Sequence, residues 1–404
     1  MKYIKSNYIV FIVLLLFSEI YPLTILPLFI SLPSIVWQLS LYFTLIMIIM
    51  ISFKDFRIEW RLLLFIIFAI ISLILSETDV RYGGPERLIS WIILISAVGP
   101  LLYNAKLIDL RIKLFNITLY VFMLIGSLSF LYWIFALPNL GRGHFTGIMM
   151  HSMLLAPIAS LGALYALYNF FSSKIYIIKY IFLLFFITNF ISVLLAASRS
   201  ALAALFVSIV VLLFLKKFKY KKIIMVITLP LFIVYYLLNI NSTNLYNKKG
   251  NNEIINSIQD RGLTNTREFL WNDRIKEFKA NPIFGVGFAS QDDKLISASK
   301  GSKEGKIEPG STYLMILSMT GLFGAISMLY FFLKAFMNKL FWMRLTSVSQ
   351  YKIASFTFFF IHFLGEGYLF ASGSLMAFVF WTLLGSTYAY SGIDYNILGE
   401  KYEN

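Results

Sequence analysis

Arg199 stands between Ser198 and Ser200 in the segment AASRSALAAL, with apolar sequence on both sides and almost no loop. An arginine near lipid depth is costly unless it is paired or hydrated. Ser198 is placed to cap the helix that follows, and the first-turn N–H groups of a helix attract anions. Arginine there reads as an anion clamp; snorkelling of its side chain to lipid phosphates is the plainer alternative. Arg142 lies between Gly141 and Gly143, where the backbone can fold closely around a ligand, or else meets headgroups. His151 follows nine residues later, at the head of a segment rich in Ala156, Ala159, Ser160, Gly162 and Ala163, and is otherwise an interfacial histidine. In TREFLWNDRIKEFKANP, Thr266 is expected to cap a helix that runs to Ala280 and is ended by Asn281-Pro282. Arg267, Trp271, Arg274 and Phe278 then fall on one stripe. Arginine pairs fork onto diphosphates and tryptophan stacks on sugar faces, although the same stripe also suits a helix lying on the outer leaflet. Two carboxylates complete the set. Glu308 precedes Pro309-Gly310 at the mouth of an apolar run, and Glu366 lies in HFLGEGYLFASG. A partly desolvated carboxylate gains proton affinity, which suits a general base for a sugar hydroxyl. An exposed loop acid, or a partner for an arginine, is the alternative for each.

The elements that must position these residues are membrane helices. The chain has 404 residues, of which 59% are hydrophobic and 14% charged, with 40 Phe. Soluble domains carry about 25% charged residues. Apolar runs place twelve spans near 8–30, 33–53, 62–76, 88–103, 114–137, 148–171, 175–196, 200–215, 223–240, 311–333, 353–370 and 374–391. The runs are too long for strands and lack alternation. The amino-terminal run resembles a signal peptide, but no small-residue cleavage site follows and the apolar run continues, so it reads as the first span. The expected fold is an all-α polytopic membrane protein of about 12 transmembrane helices. Residues 1–240 carry the first nine, 241–310 form one long extracytoplasmic loop with short amphipathic helices, and 311–404 carry the last three and a short tail.

Charge gives the orientation. Alternate short loops collect Lys54, Arg57, Arg61, Lys106, Arg111, Lys113, Lys174, Lys179 and the lysines of 216–222, whereas the opposite short loops hold Arg81, Arg87, Arg142 and Arg199 alone. By the positive-inside rule both termini are cytoplasmic and the long loop lies outside. The net charge of +15 is therefore a membrane signature rather than a nucleic-acid footprint. With no Cys and with only His144, His151 and His362 as histidines, thiol chemistry is absent and a multi-histidine metal centre has no ligands. No GxxxxGK[ST] occurs, so nucleotide-driven transport has no site. Gly285 and Gly287 in FGVGF make a turn, and Glu77 with Asp79 is a solvated loop end. All the singled-out arginines and acids fall on the outer side, within reach of a lipid-linked anion.

Three segments together resemble the O-antigen polymerase/O-antigen ligase superfamily of bacterial envelope glycosyltransferases. They are RGHFTGIMMHSMLL from Arg142, SRSALAAL from Ser198, and the stretch from Arg267 through Asn281-Pro282, FGVGF and Tyr313-Leu314 to TGLFG. Arg274 to Gly285 also fits an arginine-to-glycine spacing of the polymerases. The resemblance implies a polyprenyl-diphosphate-linked oligosaccharide as substrate, undecaprenyl diphosphate as the carrier, and no cofactor. It implies that Arg142, Arg199, Arg267 and Arg274 hold the diphosphate, with Trp271 and Tyr313 against sugar. Glu308, Glu366 and His151 are the candidates for proton transfer. The expected place is the bacterial inner membrane with the site facing the periplasm. The chain-length regulator and flippase of the same pathway are the expected partners, and no nucleic acid is.

Ligases of the superfamily usually carry a histidine where the long loop meets the next span. This chain reads Glu308-Pro-Gly-Ser-Thr-Tyr-Leu there. The polymerase is therefore the favoured expectation, transferring the growing glycan to a second lipid-linked repeat unit, and the ligase, transferring it to the lipid A core, is the alternative. A flippase of the same lipids calls for internal repeats and charge at mid-membrane, and the sequence has neither.

Overall fold

A computed structural model describes residues 2–51, 56–76, 79–141, 144–215, 265–296, 305, 307–342 and 347–387. In chain order these form α1 (Lys2–Ile20), a short α2 (Leu26–Phe29), α3 (Ser34–Ile51), β1 (Arg57–Ile58), α4 (Trp60–Leu75), α5 (Gly84–Ala97), β2 (Leu102–Tyr103), α6 (Ala105–Ile134), α7 (Ser152–Ser172), α8 (Tyr176–Leu195) and α9 (Arg199–Leu215). After the long connection come α10 (Asn265–Ala280), α11 (Thr312–Trp342), α12 (Ser347–His362) and α13 (Leu375–Thr387). Among the described residues, four helices are long and apolar enough to cross a membrane: Lys106–Ile134, Ser152–Ser172, Tyr176–Leu195 and Thr312–Phe336. Five further apolar helices are shorter: Ile9–Leu23, Ser34–Met50, Trp60–Leu75, Arg199–Leu215 and Leu375–Thr387. The chain is thus an all-α membrane protein. The expected ninth span, 223–240, lies outside the described residues, as do Glu77, Arg142 and most of 241–310.

Local chemistry sets the ends of the helices. Asn104 caps α6, accepting from the Leu107 N–H at 2.8 Å, so that helix begins nine residues before the apolar run does. The expected first span breaks instead at Tyr21-Pro22, because proline cannot donate and a 3-10 turn takes over. Residues beyond it pair with another connection, through the Thr24–Met149 bridge and the Ile25 N–H on Ile148 O at 2.9 Å. The span expected at 353–370 ends at His362, and residues 363–374 form a loop.

The connections meet as an up-and-down threading requires. β1 pairs antiparallel with β2 across two loops of the lysine-rich set. On the other set, the Asp79–Tyr82 turn meets Asp293 of the long connection, and the start of α11 meets the α12–α13 loop.

α7 is the central post. Nearly all of Leu155–Tyr168 is buried, and it packs against α6, α8, α9 and α12. Its small residues allow close helix approach. Gly126 and Gly162 leave room for Asn189 of α8, whose amide donates at 2.9 Å to Met123 O and to the Ser127 hydroxyl of α6. Ser192 adds a bond to Gly126 O at 2.8 Å. Polar groups at this depth tie helices together because lipid offers them no other partner.

Arg111 is the other deep polar anchor. Counted by the sequence among loop charges, it is fully buried on α6. It donates to Ala97 O at 3.0 Å, Ser96 O at 2.9 Å and Leu102 O at 2.8 Å. Ser96 O and Ala97 O are carbonyls that the end of α5 leaves without intrahelical partners, where a cation also complements the helix dipole, and Leu102 O belongs to β2. Arg111→Leu is expected to cost about 3 kcal/mol by stranding them. Arg111→Lys should recover only part, since an ammonium lacks the planar fork. Thermal unfolding in detergent checks this; a leucine variant that melts with wild type would refute the clamp.

Candidate functional site

The polar end of the helices that carries the sequence candidates is built on a break in α11. Gly321 sits at φ 63°, ψ −165° inside that helix, so the helical hydrogen bonds around it are lost. The turn Asn281–Phe288 replaces them. Val286 N–H donates to Ser318 O at 2.8 Å and Gly287 N–H to Met319 O at 3.2 Å. In the other direction, Leu322 N–H reaches Pro282 O at 2.8 Å. Ser72 of α4 adds a 2.7 Å bond to Met319 O. Gly285, at φ 75°, is needed here: a Cβ would come within 2.6 Å of Ser318 O. FGVGF and TGLFG, read as separate turn and helix motifs, are therefore two halves of one backbone joint. Phe288 at its end enters an aromatic cluster with Trp91 of α5 (5.8 Å between ring centres) and Phe370 of the α12–α13 loop (4.9 Å).

α10 precedes that turn and is held by it. The helix begins at Asn265, which places Thr266 inside its first turn rather than at its cap. Its buried face is Leu270, Asp273, Arg274 and Glu277. Arg267 and Arg274 do share a stripe, but seven residues separate them, about 10 Å along the axis. Each meets a different neighbourhood.

Arg274 is 2% exposed and lies 2.8 Å from Glu277. It donates to Gln291 at 3.2 Å, and Gln291 in turn donates to the Tyr82 hydroxyl at 2.8 Å. Tyr82 donates to Asp293 at 2.6 Å, and Arg81 also binds Asp293. Glu277 accepts the Asp292 N–H at 2.9 Å. Burial lowers the Arg274 pKa and raises that of Glu277, each opposed by the charge of the other. This network fastens α10 to the α4–α5 turn, and Arg274 is enclosed within it.

Arg267 opens toward the mouth. Its Nη2 lies 2.5 Å from Glu366 Oε1, with the two side chains 27% and 20% exposed. The backbone of Glu366 is pinned: Thr312 donates to its carbonyl from both N (3.0 Å) and Oγ1 (2.7 Å). On either side, a Cβ at Gly365 would meet Ser200 at 3.1 Å and one at Gly367 would meet Pro309 at 2.5 Å. The loop carrying Glu366 is therefore wedged between the start of α9, which bears Arg199, and the segment Glu308–Gly310. Trp271 donates to Gly310 O at 3.1 Å, and Gly310 lies against Leu270. Burial raises the Glu366 pKa, Arg267 opposes this, and the nearby Glu308 charge adds to it.

Five of the sequence candidates thus converge at one mouth: Arg199, Arg267, Trp271, Glu308 and Glu366. Arg199 is exposed at the first position of α9, after a reversal that puts Ala197 at φ 54°. Ser198 gives its carbonyl to Leu202 N–H at 3.0 Å, and its hydroxyl lies 3.4 Å from that of Ser200. Tyr313 is 37% exposed one residue beyond Thr312, its hydroxyl donating to Phe360 O at 2.9 Å. His151 caps α7 through Nδ1, which accepts from Met153 N–H at 3.2 Å. No described contact joins it to the Arg267–Glu366 pair. Arg142 lies outside the described residues.

Sequence reading missed His362 and Tyr368. His362 is 2% exposed, with Nδ1 2.8 Å from the Tyr368 hydroxyl, and it lies within reach of the Arg267 charge. A histidine at the end of an apolar helix gave no signal, because its partner sits six residues away across a turn.

Residues 183–329 match the family described as O-antigen ligase. Over those residues the chain is similar to that family, which supports the O-antigen ligase/polymerase resemblance. The match runs from the middle of α8 through Arg199, α10 and the backbone joint into α11, and so holds Arg199, Arg267 and Arg274 but neither Arg142 nor Glu366. The family indicates O-antigen ligase- or polymerase-type function in envelope polysaccharide synthesis and does not separate the two. No curated protein matches the chain.

Glu277→Leu alone is expected to cost about 3–5 kcal/mol, because it leaves a guanidinium buried without its counter-charge. Adding Arg274→Met should restore most of that loss. Unfolding of the single and double variants in detergent checks this, and a double variant as unstable as the single one would refute the pairing.

Proposed function

We propose that the chain is a polymerase of lipid-linked repeat units, moving a glycan from polyprenyl diphosphate to a sugar hydroxyl of another lipid-linked unit. One observation supports the reading: Arg267 meets the Glu366 carboxylate, and the loop carrying Glu366 packs against the start of α9, where Arg199 stands. Preorganised positive charge stabilises a diphosphate as it leaves. Glu366 is the favoured base, since its backbone is pinned and its environment raises its proton affinity. Glu308, exposed beside it, is the second choice, and His151 the third. Trp271 and Tyr313 border the mouth and suit sugar faces. Arg142 would add to the diphosphate site from the α6–α7 connection. Arg274 supports α10 rather than touching the lipid. The setting is the bacterial inner membrane, with the mouth toward the periplasm and both termini cytoplasmic. A chain-length regulator and a flippase are the partners such an enzyme works beside.

Ligase activity is the second reading, and His362 favours it. The histidine missing from the loop–α11 junction has a counterpart at the end of α12, behind the Arg267–Glu366 pair.

Purified protein in vesicles, given a lipid-linked repeat unit without nucleotide, should yield a ladder of polymers. Arg199→Ala and Arg267→Ala should each lower the rate by roughly 10²–10³, the usual cost of removing one charge-stabilising group. Product formed only when lipid A core is added would establish the ligase instead. Passage of intact lipid-linked sugar across the bilayer, with neither product, would overturn both. The base must be ionised, so activity should fall on acidification along a limb set above the roughly 4.3 of a free glutamate. A pH–rate profile with its limb at the ordinary value would count against Glu366.

A further inference from the structure

The two Arg–Glu pairs of α10 differ in access, and the difference assigns them different work. Arg274 and Glu277 are sealed, with side chains 3% and 0% exposed. Arg267 and Glu366 meet through a single Nη2–Oε1 contact and remain 27% and 20% exposed. A solvent-borne anion can reach the second pair and not the first. Glu366 can also change partners without moving its backbone, because Thr312 holds the carbonyl through two hydrogen bonds. Only the carboxylate arm need swing. The groups facing that arm are Arg267 from α10, Glu308 from the segment before α11, Tyr313 on α11, and Tyr368 with its partner His362. Arg267 is the cation in contact with the arm, and Arg199 stands at the start of α9 beside Gly365.

We infer that Arg267 and Glu366 form an exchangeable latch, in which the diphosphate of the lipid-linked donor takes Arg267 from Glu366 and so releases the base only when a donor is seated. The inference rests on the proposed function and deepens it. A diphosphate carries more charge and more acceptor oxygens than one carboxylate, and it matches the guanidinium fork. Once Arg267 has turned to the donor, Glu366 faces Glu308 without its cation and holds a proton more tightly. In the transfer step the acceptor hydroxyl gives its proton to Glu366. Its oxygen bonds the anomeric carbon as the bond from that carbon to the diphosphate oxygen breaks. The electron pair leaves with the polyprenyl diphosphate, whose added negative charge falls on Arg267. Departure of that product returns Arg267 to Glu366, and the proton passes to water. Before a donor arrives, the base is neutralised by its own partner and activates neither acceptor nor water.

The test measures binding of a polyprenyl diphosphate without sugar to the full chain in nanodiscs, beside the ladder assay. Glu366→Gln keeps the shape and removes the competing charge. It should bind the lipid roughly two- to five-fold tighter, the scale of one part-exposed ion pair, while the ladder disappears. Glu366→Asp draws the carboxylate back by one methylene and should tighten binding by a smaller factor; it carries the test if the glutamine variant does not fold. Arg267→Ala should weaken binding, and adding Glu366→Gln to it should change nothing further. Equal or weaker binding by Glu366→Gln, at an unchanged melting temperature, overturns the latch, as does a ladder retained by that variant. A wild-type ladder together with either result leaves the polymerase standing and removes the latch alone. No wild-type product from donor and acceptor removes the proposed function itself.

Discussion

A helix broken inside an apolar environment must find partners for the backbone groups it frees, since each one left unsatisfied costs several kcal/mol. α11 breaks at Gly321, and the turn Asn281–Phe288 supplies what is missing, amide for carbonyl in both directions. Most of the polar end follows from that joint. The turn fixes where α10 ends, which fixes where Arg267 stands. Phe288 carries the joint into the cluster of Trp91 and Phe370, and Phe370 lies in the loop that presents Glu366. Arg267 and Glu366, 99 residues apart in sequence, are therefore positioned by one piece of backbone chemistry.

The site shows a division of labour between polar groups that hold and polar groups that remain reachable. Arg274, Glu277, Gln291, Tyr82 and Asp293 fill one another's hydrogen-bonding needs across the α4–α5 turn. Thr312 does the same for the Glu366 carbonyl through two hydrogen bonds, and the close approaches at Gly365 and Gly367 wedge the loop on either side. Against this fixed frame Arg199, Arg267 and Glu366 keep solvent access. A site that holds charges in register and still leaves them reachable needs both kinds.

The sequence made the membrane class legible through apolar run length, and the outer arginines through their rarity. The small residues of α7 suit its close packing, and Asn281-Pro282 announced the end of α10. What stayed hidden depended on contacts remote in sequence. Arg267 and Arg274 look equivalent on a helical wheel; only the α4–α5 turn, some 190 residues earlier, makes one of them a buried strut. FGVGF reads as an ordinary turn until Gly321 is seen to break the helix beside it. His362 looks like the end of an apolar helix because Tyr368 returns to it only after the chain has turned. The first span was drawn too long because hydrophobicity alone does not register that Pro22 ends hydrogen bonding.

Arg111 has two lives. While the chain is being inserted, a guanidinium resists passage through the bilayer and helps keep its end of a helix on the side where it was made. In the finished protein the same group is out of water altogether, closed in beside Gly385 and held by the carbonyls at the end of α5. A residue that first acts as a topogenic signal ends as mortar between helices. Its loss would register twice, once in how many chains enter the membrane the right way round and again in how long the correctly inserted ones last.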